Sequence, residues 1–214
     1  MADTARKVAG YLLQSKAIIL EPAKPFTWAS GWISPIYCDN RITLSYPSIR
    51  GSIRDAFVEV IRKHFGEPGL IAGVATGAIA QGALVADKMG LPFAYVRSSA
   101  KEHGRQTLVE GRISRGDEVV VVEDLVSTGG SSLSAVRAIR EQGARVLGMT
   151  AIFSYGFDRA AEQFREAGVE LVTLTDYNTM LAMAIESGYI HQEDALLLNQ
   201  WRLDPAGWKK KETP

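Results

Sequence analysis

An acidic pair followed by a loop of small polar residues is the part of this sequence best suited to chemistry. Glu123 and Asp124 come directly after four valines at 119–122, and a Ser/Thr/Gly-rich stretch follows at 127–132. β-Branched runs of this kind form strands that are buried on both faces. A loop of small residues before a helix binds phosphate through its backbone N–H groups. Because carboxylates suit hydroxyl groups or a metal, the pattern predicts a ligand such as a ribose 5-phosphate.

Two other kinds of phosphate site do not fit this segment. The loop lacks the Gly-Lys-Ser/Thr of a Walker motif, and no Gly-x-Gly-x-x-Gly follows the valine run. An ATP-binding P-loop and a dinucleotide-binding turn are therefore disfavoured. The remaining alternative is an ordinary strand–turn–helix crossover with a polar loop.

Composition limits the classes of partner. Net charge is zero, so no overall field attracts the chain to nucleic acid or to a membrane surface. The single cysteine, Cys38, excludes an internal disulfide framework and favours a reducing compartment. Residues 1–7 lack the apolar core of a signal peptide, and no apolar stretch approaches the length of a bilayer span. We expect a cytoplasmic protein without a nucleic-acid or membrane partner.

Strand-like and helix-like segments alternate through the middle of the chain. This order predicts an α/β fold with a doubly wound, mostly parallel sheet flanked by helices. The strands are predicted at 70–74, 93–96, 119–122, 146–153 and 170–174, and the helices between them at 78–89, 131–142 and 160–167. We expect one domain over 1–214, with a core at about 47–174 and a small hood from about 1–44 and 175–208. Ligands of such sheets bind at the carboxyl ends of the strands.

Residues 120–132 resemble the signature of the type I phosphoribosyltransferase family: a hydrophobic strand, two acidic residues and a Thr/Gly/Ser loop. The resemblance implies that Glu123 and Asp124 hold the ribose hydroxyls of phosphoribosyl pyrophosphate and that Asp124 acts in catalysis. It also implies Mg²⁺ as cofactor, held mainly by the substrate without direct protein ligands. The 5-phosphate would be held by the following loop, namely Leu125, Val126, Ser127, Thr128, Gly129, Gly130, Ser131 and Ser132.

A second motif indicates the acceptor. Residues 26–41 resemble the N-terminal Ser-Gly-x-x-Ser-Pro-x-Tyr motif of the orotate phosphoribosyltransferases. The resemblance implies that Ser30, Gly31, Tyr37 and Thr128 lie near orotate, although hydrophobic packing alone would also explain Tyr37. Arg159 is expected to meet the orotate carboxylate, and an exposed arginine in the first turn of a surface helix is the alternative.

Residues 95–104 resemble the Val-Arg-x-x-x-Lys-x-His-Gly segment of the same family. The resemblance implies that Arg97, Lys101 and His103 contact phosphoribosyl pyrophosphate. Lys101 and His103 would act catalytically from a loop that reaches across the two-fold interface of a homodimer. Cations near a departing pyrophosphate stabilise the transition state, which is the chemical reason for these residue types. A solvated polar loop is the alternative interpretation.

The segment 72–80 resembles the family's pyrophosphate loop, which often contains a cis peptide bond before a residue other than proline. That bond would be Ala75–Thr76, and both residues are expected to bind phosphoribosyl pyrophosphate. A tight strand-to-helix turn would also need small residues here. Three departures remove cations that the family often carries, at Ala29, Gly77 and Ser98. They put the affinity for pyrophosphate in doubt more than the function.

The resemblance as a whole implies an enzyme that transfers a phosphoribosyl group to orotate, giving orotidine 5-monophosphate and pyrophosphate in pyrimidine biosynthesis. One alternative is a purine-type phosphoribosyltransferase, which would lack the Ser-Gly…Ser-Pro-x-Tyr segment. Another is a regulatory protein that senses phosphoribosyl pyrophosphate without turnover. Such a regulator needs a nucleic-acid-binding face, and this neutral chain has no basic helix to supply one.

Overall fold

A computed structural model describes residues 2–28, 30–97 and 108–208 of the chain. Its N-terminal part begins with helix α1 (Ala2–Gln14) and continues as two small antiparallel ribbons. Strand β1 (Ile18–Leu20) pairs with β4 (Ile36–Cys38), and β2 (Phe26–Thr27) pairs with β3 (Ile33–Ser34). A 3-10 helix at Asn40–Ser45 leads into α2 (Pro47–Phe65), which has proline in its first turn, where a missing N–H costs nothing.

The centre of the molecule is a six-stranded sheet with helices in the crossovers. In chain order the elements are β5 (Leu70–Val74), α3 (Ile79–Met89), β6 (Phe93–Val96), β7 (Val109–Glu110), β8 (Glu118–Val126), α4 (Gly130–Glu141), β9 (Arg145–Ser154), α5 (Asp158–Glu166) and β10 (Leu171–Asp176). The strands lie in the order β10-β9-β8-β5-β6-β7. All neighbours are parallel except β7, which runs antiparallel to β6.

The valine run of β8 is buried on both sides of the sheet. Val120 and Val122 belong to a core that includes residues of α1, α2 and α3, whereas Val119 and Val121 belong to a second core with residues of α4 and α5. Alternate residues of a strand point to opposite faces, so one strand contributes to both cores. Helices therefore cover both faces, as the doubly wound prediction requires.

After β10 the chain forms two more helices, α6 (Tyr177–Glu186) and α7 (Gln192–Leu203). Helix α6 packs beside α1, and Trp201 of α7 lies with its ring centroid 5.5 Å from that of Trp28. The N-terminal and C-terminal segments are thus in contact. No helix in the described part of the chain has the length and apolar character needed to cross a bilayer.

The structure confirms the predicted fold class and corrects three details. The strand after residue 118 does not end at residue 122: β8 continues to Val126, because it keeps pairing with β9 after its pairing with β5 stops at Val122. Glu123 and Asp124 therefore lie within the strand, at the point where one neighbour is lost. The prediction also omitted β7, as well as helices α6 and α7 within 175–208.

Candidate active site

The acidic pair stands at the carboxyl edge of the sheet in a nearly dry environment. Glu123 is 4% exposed. One of its carboxylate oxygens accepts a hydrogen bond from the Ser132 hydroxyl at 2.9 Å, and the other accepts from the backbone N–H of Asp124 at 3.0 Å. Both oxygens are therefore engaged within the protein. Glu123 consequently fixes the start of α4 against the end of β8.

Asp124 faces the loop that follows β5. A Cβ atom built on Gly77 would overlap the carboxylate of Asp124, so any other residue at position 77 would require the carboxylate to move. The two residues line one cavity of about 310 Å³. Position 77, where the family often has lysine, is thus the place where the Asp124 carboxylate approaches the backbone closely.

This cavity, which we call the phosphate cavity, is formed by the ends of β5 and β8 and the loops after them. Gly129, the residue before α4, has φ = +89°, a conformation that side chains other than glycine rarely adopt. The loop therefore leads directly into the N-terminus of α4, and helix N-termini attract anions. The lining residues are Val74, Ala75, Thr76, Gly77, Glu123, Asp124, Leu125, Ser127, Thr128, Gly129 and Ser131.

The loop after β5 contains the cis peptide bond predicted from the sequence. The bond joins Ala75 to Thr76, and both residues line the phosphate cavity. The backbone N–H of Ala75 donates to the carbonyl of Val96 at 2.8 Å, which fixes the loop to the neighbouring strand. The prediction of a cis bond at this position is confirmed.

A second cavity of about 300 Å³ adjoins the first, and we call it the base cavity. Its walls come from the hood, from the segment between β9 and α5, and from the end of α7. The lining residues are Trp32, Thr128, Gly156, Phe157, Asp158, Arg159, Arg202, Leu203, Pro205 and Ala206. Thr128 lines both cavities. A single ligand with a phosphorylated sugar and a planar acidic ring would therefore meet both, with Thr128 at the junction.

The N-terminal segment is fixed to the acidic pair by a buried amide. The side-chain Nδ2 of Asn40 donates to the backbone carbonyl of Asp124 at 2.6 Å, and Asn40 is 2% exposed. Because an unpaired buried amide is costly, this contact joins the 3-10 helix firmly to the end of β8. Asn40 was not among the site residues predicted from the sequence.

The β2–β3 ribbon presents the Ser-Gly turn at the surface. The N–H of Gly31 donates to the carbonyl of Trp28 at 2.8 Å, and the Ser30 hydroxyl accepts from the N–H of Trp32 at 3.4 Å. Tyr37 on β4 is 41% exposed and its ring lies 5.5 Å from that of Phe26. None of Ser30, Gly31 and Tyr37 is among the lining residues of either cavity, so their approach to orotate stays a prediction.

The predicted cations lie in different places. Arg97 directly follows β6 and forms an ion pair with Glu110 of β7, at 3.6 Å. Arg159 is exposed in the first turn of α5 and lines the base cavity. Lys101, His103 and two of the positions where the family often has lysine, Ala29 and Ser98, lie outside the described residues. Arg159 is thus the predicted orotate-binding cation whose surroundings the structure describes.

One carboxylate in the phosphate cavity is suited to a place beside a Mg²⁺ ion that a substrate carries. Among residues 2–28, 30–97 and 108–208, no three His, Cys, Asp or Glu side chains are grouped as a metal site. Mg²⁺ is commonly held by one or two carboxylates together with substrate phosphates. Asp124 provides such a carboxylate in the phosphate cavity.

Burial raises the pKa of both carboxyls of the acidic pair. For Glu123, loss of solvent is the largest cause and the neighbouring Asp124 charge adds to it; for Asp124, loss of solvent outweighs the hydrogen bonds that favour its charged form. A carboxyl with a raised pKa in the folded state stabilises the fold below its unfolded pKa. That stabilisation is lost as the pH rises through the folded pKa.

We therefore expect Glu123→Gln to remove a pH-dependent loss of stability. The melting temperature of Glu123→Gln minus that of the parent should become more positive from about pH 4 to about pH 8. Thermal unfolding at a series of pH values measures it. The control is Glu141→Gln, at the exposed end of α4, which removes the same charge without a buried environment. A difference that is constant with pH, or that falls, would contradict the argument.

Thr128 and Arg159 are the two residues of the base cavity that were predicted from the sequence, and its other walls were not predicted. Trp32, Phe157 and Arg202 belong to segments far apart in the chain, and the segment at about 175–208 was expected only to form part of the hood. The available signal was an arginine directly after a tryptophan in a segment rich in large apolar residues. An arginine in that position needs acceptors within the fold, which is a sign of a structured contact.

Comparisons with known proteins agree with this geometry. The phosphoribosyl transferase domain family matches residues 44–178. The orotate phosphoribosyltransferase of Phocaeicola vulgatus is 58% identical over 209 residues, which cover 98% of this chain and 99% of that protein. The enzyme of the same name from Bacteroides fragilis is 56% identical over 209 residues, with the same coverage.

A solved structure shows the same fold. The orotate phosphoribosyltransferase from Aeropyrum pernix superposes with a TM-score of 0.75 at 29% identity, and the match covers 86% of this chain and 99% of that one. Nearly the whole chain is therefore matched in sequence, and most of it in structure. The chain belongs to the phosphoribosyltransferase family, among the orotate phosphoribosyltransferases.

Proposed function

We propose that this protein transfers the 5-phosphoribosyl group from phosphoribosyl pyrophosphate to orotate, producing orotidine 5-monophosphate and pyrophosphate for pyrimidine biosynthesis. The observation that carries the proposal is the pair of cavities that meet at Thr128. One has an acidic pair and a helix N-terminus, as a ribose 5-phosphate requires. The other has aromatic walls and a cation, as a planar carboxylate requires.

In this mechanism the phosphate cavity binds the donor. The loop 127–131 and the N-terminus of α4 hold the 5-phosphate through backbone N–H groups. The ribose hydroxyls donate to carboxylate oxygens of the acidic pair, which lines this cavity. The loop around the cis bond of Ala75–Thr76 receives the pyrophosphate. Mg²⁺ would be held mainly by the substrate beside Asp124, and when bound it would supply neutralisation of charge on the leaving group.

The bond from ribose C1 to the pyrophosphate oxygen breaks as orotate nitrogen approaches, and the sugar develops positive charge. The Asp124 carboxylate stabilises that charge from the protein side. Arg97, Lys101 and His103 contact the departing pyrophosphate and stabilise its charge. Arg159 orients orotate by its carboxylate, with Ser30, Gly31 and Tyr37 at the ring. These side chains bind and orient, and the electrophile is the sugar itself.

The proposed assembly is a homodimer in the cytoplasm. The proposed division is a single phosphoribosyltransferase domain, with a core at about 47–174 and a hood from about 1–44 and 175–208. The contact between Trp28 and Trp201 supports a hood shared by both ends of the chain.

The test of the proposed function is an acceptor panel. Purified protein with phosphoribosyl pyrophosphate and Mg²⁺ should release pyrophosphate with orotate and give no turnover with adenine, hypoxanthine or uracil. Turnover of a purine base without turnover of orotate would identify a purine-type enzyme. Binding of phosphoribosyl pyrophosphate without any turnover would identify a sensor.

The role of Arg159 gives a separate prediction. Arg159→Met should raise the KM for orotate about tenfold, because a charge-assisted contact to a carboxylate is lost, and it should leave the KM for phosphoribosyl pyrophosphate nearly unchanged. Steady-state kinetics with each substrate varied in turn measures both. The control is Arg165→Met, in the last turn of the same helix. An equal rise in both constants would reject the assignment.

A further inference from the structure

The end of α7 is hydrogen-bonded to the segment between β9 and α5, the helix that begins just before Arg159. The Arg202 Nε donates to the carbonyl of Tyr155 at 2.9 Å, and one of its terminal nitrogens donates to the carbonyl of Gly156 at 2.7 Å. These carbonyls lie immediately after β9, three to four residues before Arg159. Two of the three guanidinium nitrogens are thus committed to one short backbone segment.

The position of Arg202 itself is fixed from behind. Its guanidinium carbon lies 5.6 Å from the centroid of the Tyr177 ring, a distance at which a cation is attracted to an aromatic face. Tyr177 is 1% exposed and donates its hydroxyl to the carbonyl of Leu198 in α7, at 2.8 Å. The guanidinium therefore lies between a buried ring and the backbone that it holds.

The residue before Arg202 anchors the helix. Trp201 is fully buried, and its ring contacts those of Trp28, Tyr155 and Phe157 at centroid distances of 5.5–5.8 Å. We call these four residues the aromatic cluster. It joins the hood, the segment after β9 and α7 in one packed unit. A displacement of α7 would therefore also displace the backbone that precedes Arg159.

We propose that Arg202 is a positioning residue for orotate recognition, which fixes the backbone at residues 155–156 so that Arg159 faces the base cavity. The inference rests on the proposed function and goes beyond it, because it makes the C-terminal helix part of acceptor specificity. Binding depends on precise placement of the recognising group, and a small displacement weakens the contact strongly. Arg202 lines the base cavity and not the phosphate cavity, so its loss is expected to affect the acceptor more than the donor.

The experiment compares single and double variants in steady-state kinetics. Arg202→Met should raise the KM for orotate about fivefold or more and change the KM for phosphoribosyl pyrophosphate by less than about twofold. Arg202→Lys, which keeps a cation that can reach one carbonyl, should give an intermediate KM for orotate. The matched control is Arg140→Met. Arg140 makes the same type of contact at the far end of α5, to the carbonyls of Ala167 and Gly168.

The double variant distinguishes positioning from direct binding. If Arg202 acts through Arg159, the KM for orotate of Arg159→Met/Arg202→Met should equal that of Arg159→Met alone, because interacting residues are not additive. Multiplied effects would show a direct contact with orotate and overturn the inference. So would equal effects of Arg202→Met and Arg140→Met, or a rise in both KM values.

The same set of variants also separates an effect on stability from an effect on orotate recognition. If Arg202→Met does not fold, Arg202→Lys against Arg140→Lys gives the same comparison, and an unchanged KM for orotate in Arg202→Lys would reject the inference. A parent protein that fails to use orotate would instead refute the proposed function. Failure of the inference is thus observed in the Arg202 variants, and failure of the proposed function is observed in the parent protein.

Discussion

Asp124→Asn should lower the turnover number at least about tenfold, which corresponds to roughly 1.4 kcal/mol in the activation barrier. The substitution keeps the size of the side chain and removes its charge. In the proposed mechanism that charge opposes the positive charge that develops on the ribose, so its loss raises the barrier as well as weakening donor binding. Initial rates at saturating orotate and phosphoribosyl pyrophosphate measure the effect.

The matched control is Asp87→Asn, an exposed position on α3, which removes the same charge far from the acidic pair. Its turnover number should equal that of the parent. Asp124→Asn should also keep the fold, because the contact between Asn40 and residue 124 uses the backbone carbonyl. Unchanged kinetics in Asp124→Asn would mean that the acidic pair has only a structural role at the end of β8.

Mixing two impaired variants should restore activity if the proposed dimer shares its sites. Lys101→Ala removes a group expected to act in the neighbouring subunit's site, and Asp124→Asn removes a group that acts in its own. In a mixed dimer one site carries both substitutions and the other carries neither. Random pairing makes about half of the dimers mixed, so recovery should approach about a quarter of parental activity.

The control for this experiment is a mixture of Lys101→Ala with His103→Ala. Both substitutions would act in the same direction across the interface, so every site of a mixed dimer lacks one group and no recovery is expected. Subunit exchange is verified with two differently tagged proteins. No recovery despite exchange, or a monomer at assay concentration, would mean that the loop acts within its own subunit.

The sheet and its acidic pair could be predicted from the sequence because local signals agreed with each other. The valine run specified a strand buried on two faces, and the small residues of 127–132 specified a turn into a helix. The structure has β8 and α4 at these places. The cis bond at Ala75–Thr76 followed from family resemblance, since nothing in the local composition distinguishes it from a tight turn.

The base cavity could not be derived in this way, because its walls meet only through tertiary packing. Trp32 and Arg202 are 170 residues apart and no periodic pattern relates them. The extension of β8 beyond Val122 has a similar cause: pairing with β9 decides it, and pairing partners lie outside the local sequence. Helix α7 was missed because its exposed leucines, Leu196, Leu197 and Leu203, leave no single apolar stripe. Helix α6 does carry such a stripe, at Tyr177, Met180, Leu181 and Ala184, and it was not used in the prediction.

The positions of the tryptophans give this protein a natural optical reporter. All four lie in the two terminal segments: Trp28 and Trp201 in the aromatic cluster, Trp32 stacked on Trp28 at 6.2 Å, and Trp208 packed against the same core. The central strands contain none. Indole emission therefore reports on the two terminal segments without a label, and Trp32, which lines the base cavity, would carry the response to a bound acceptor.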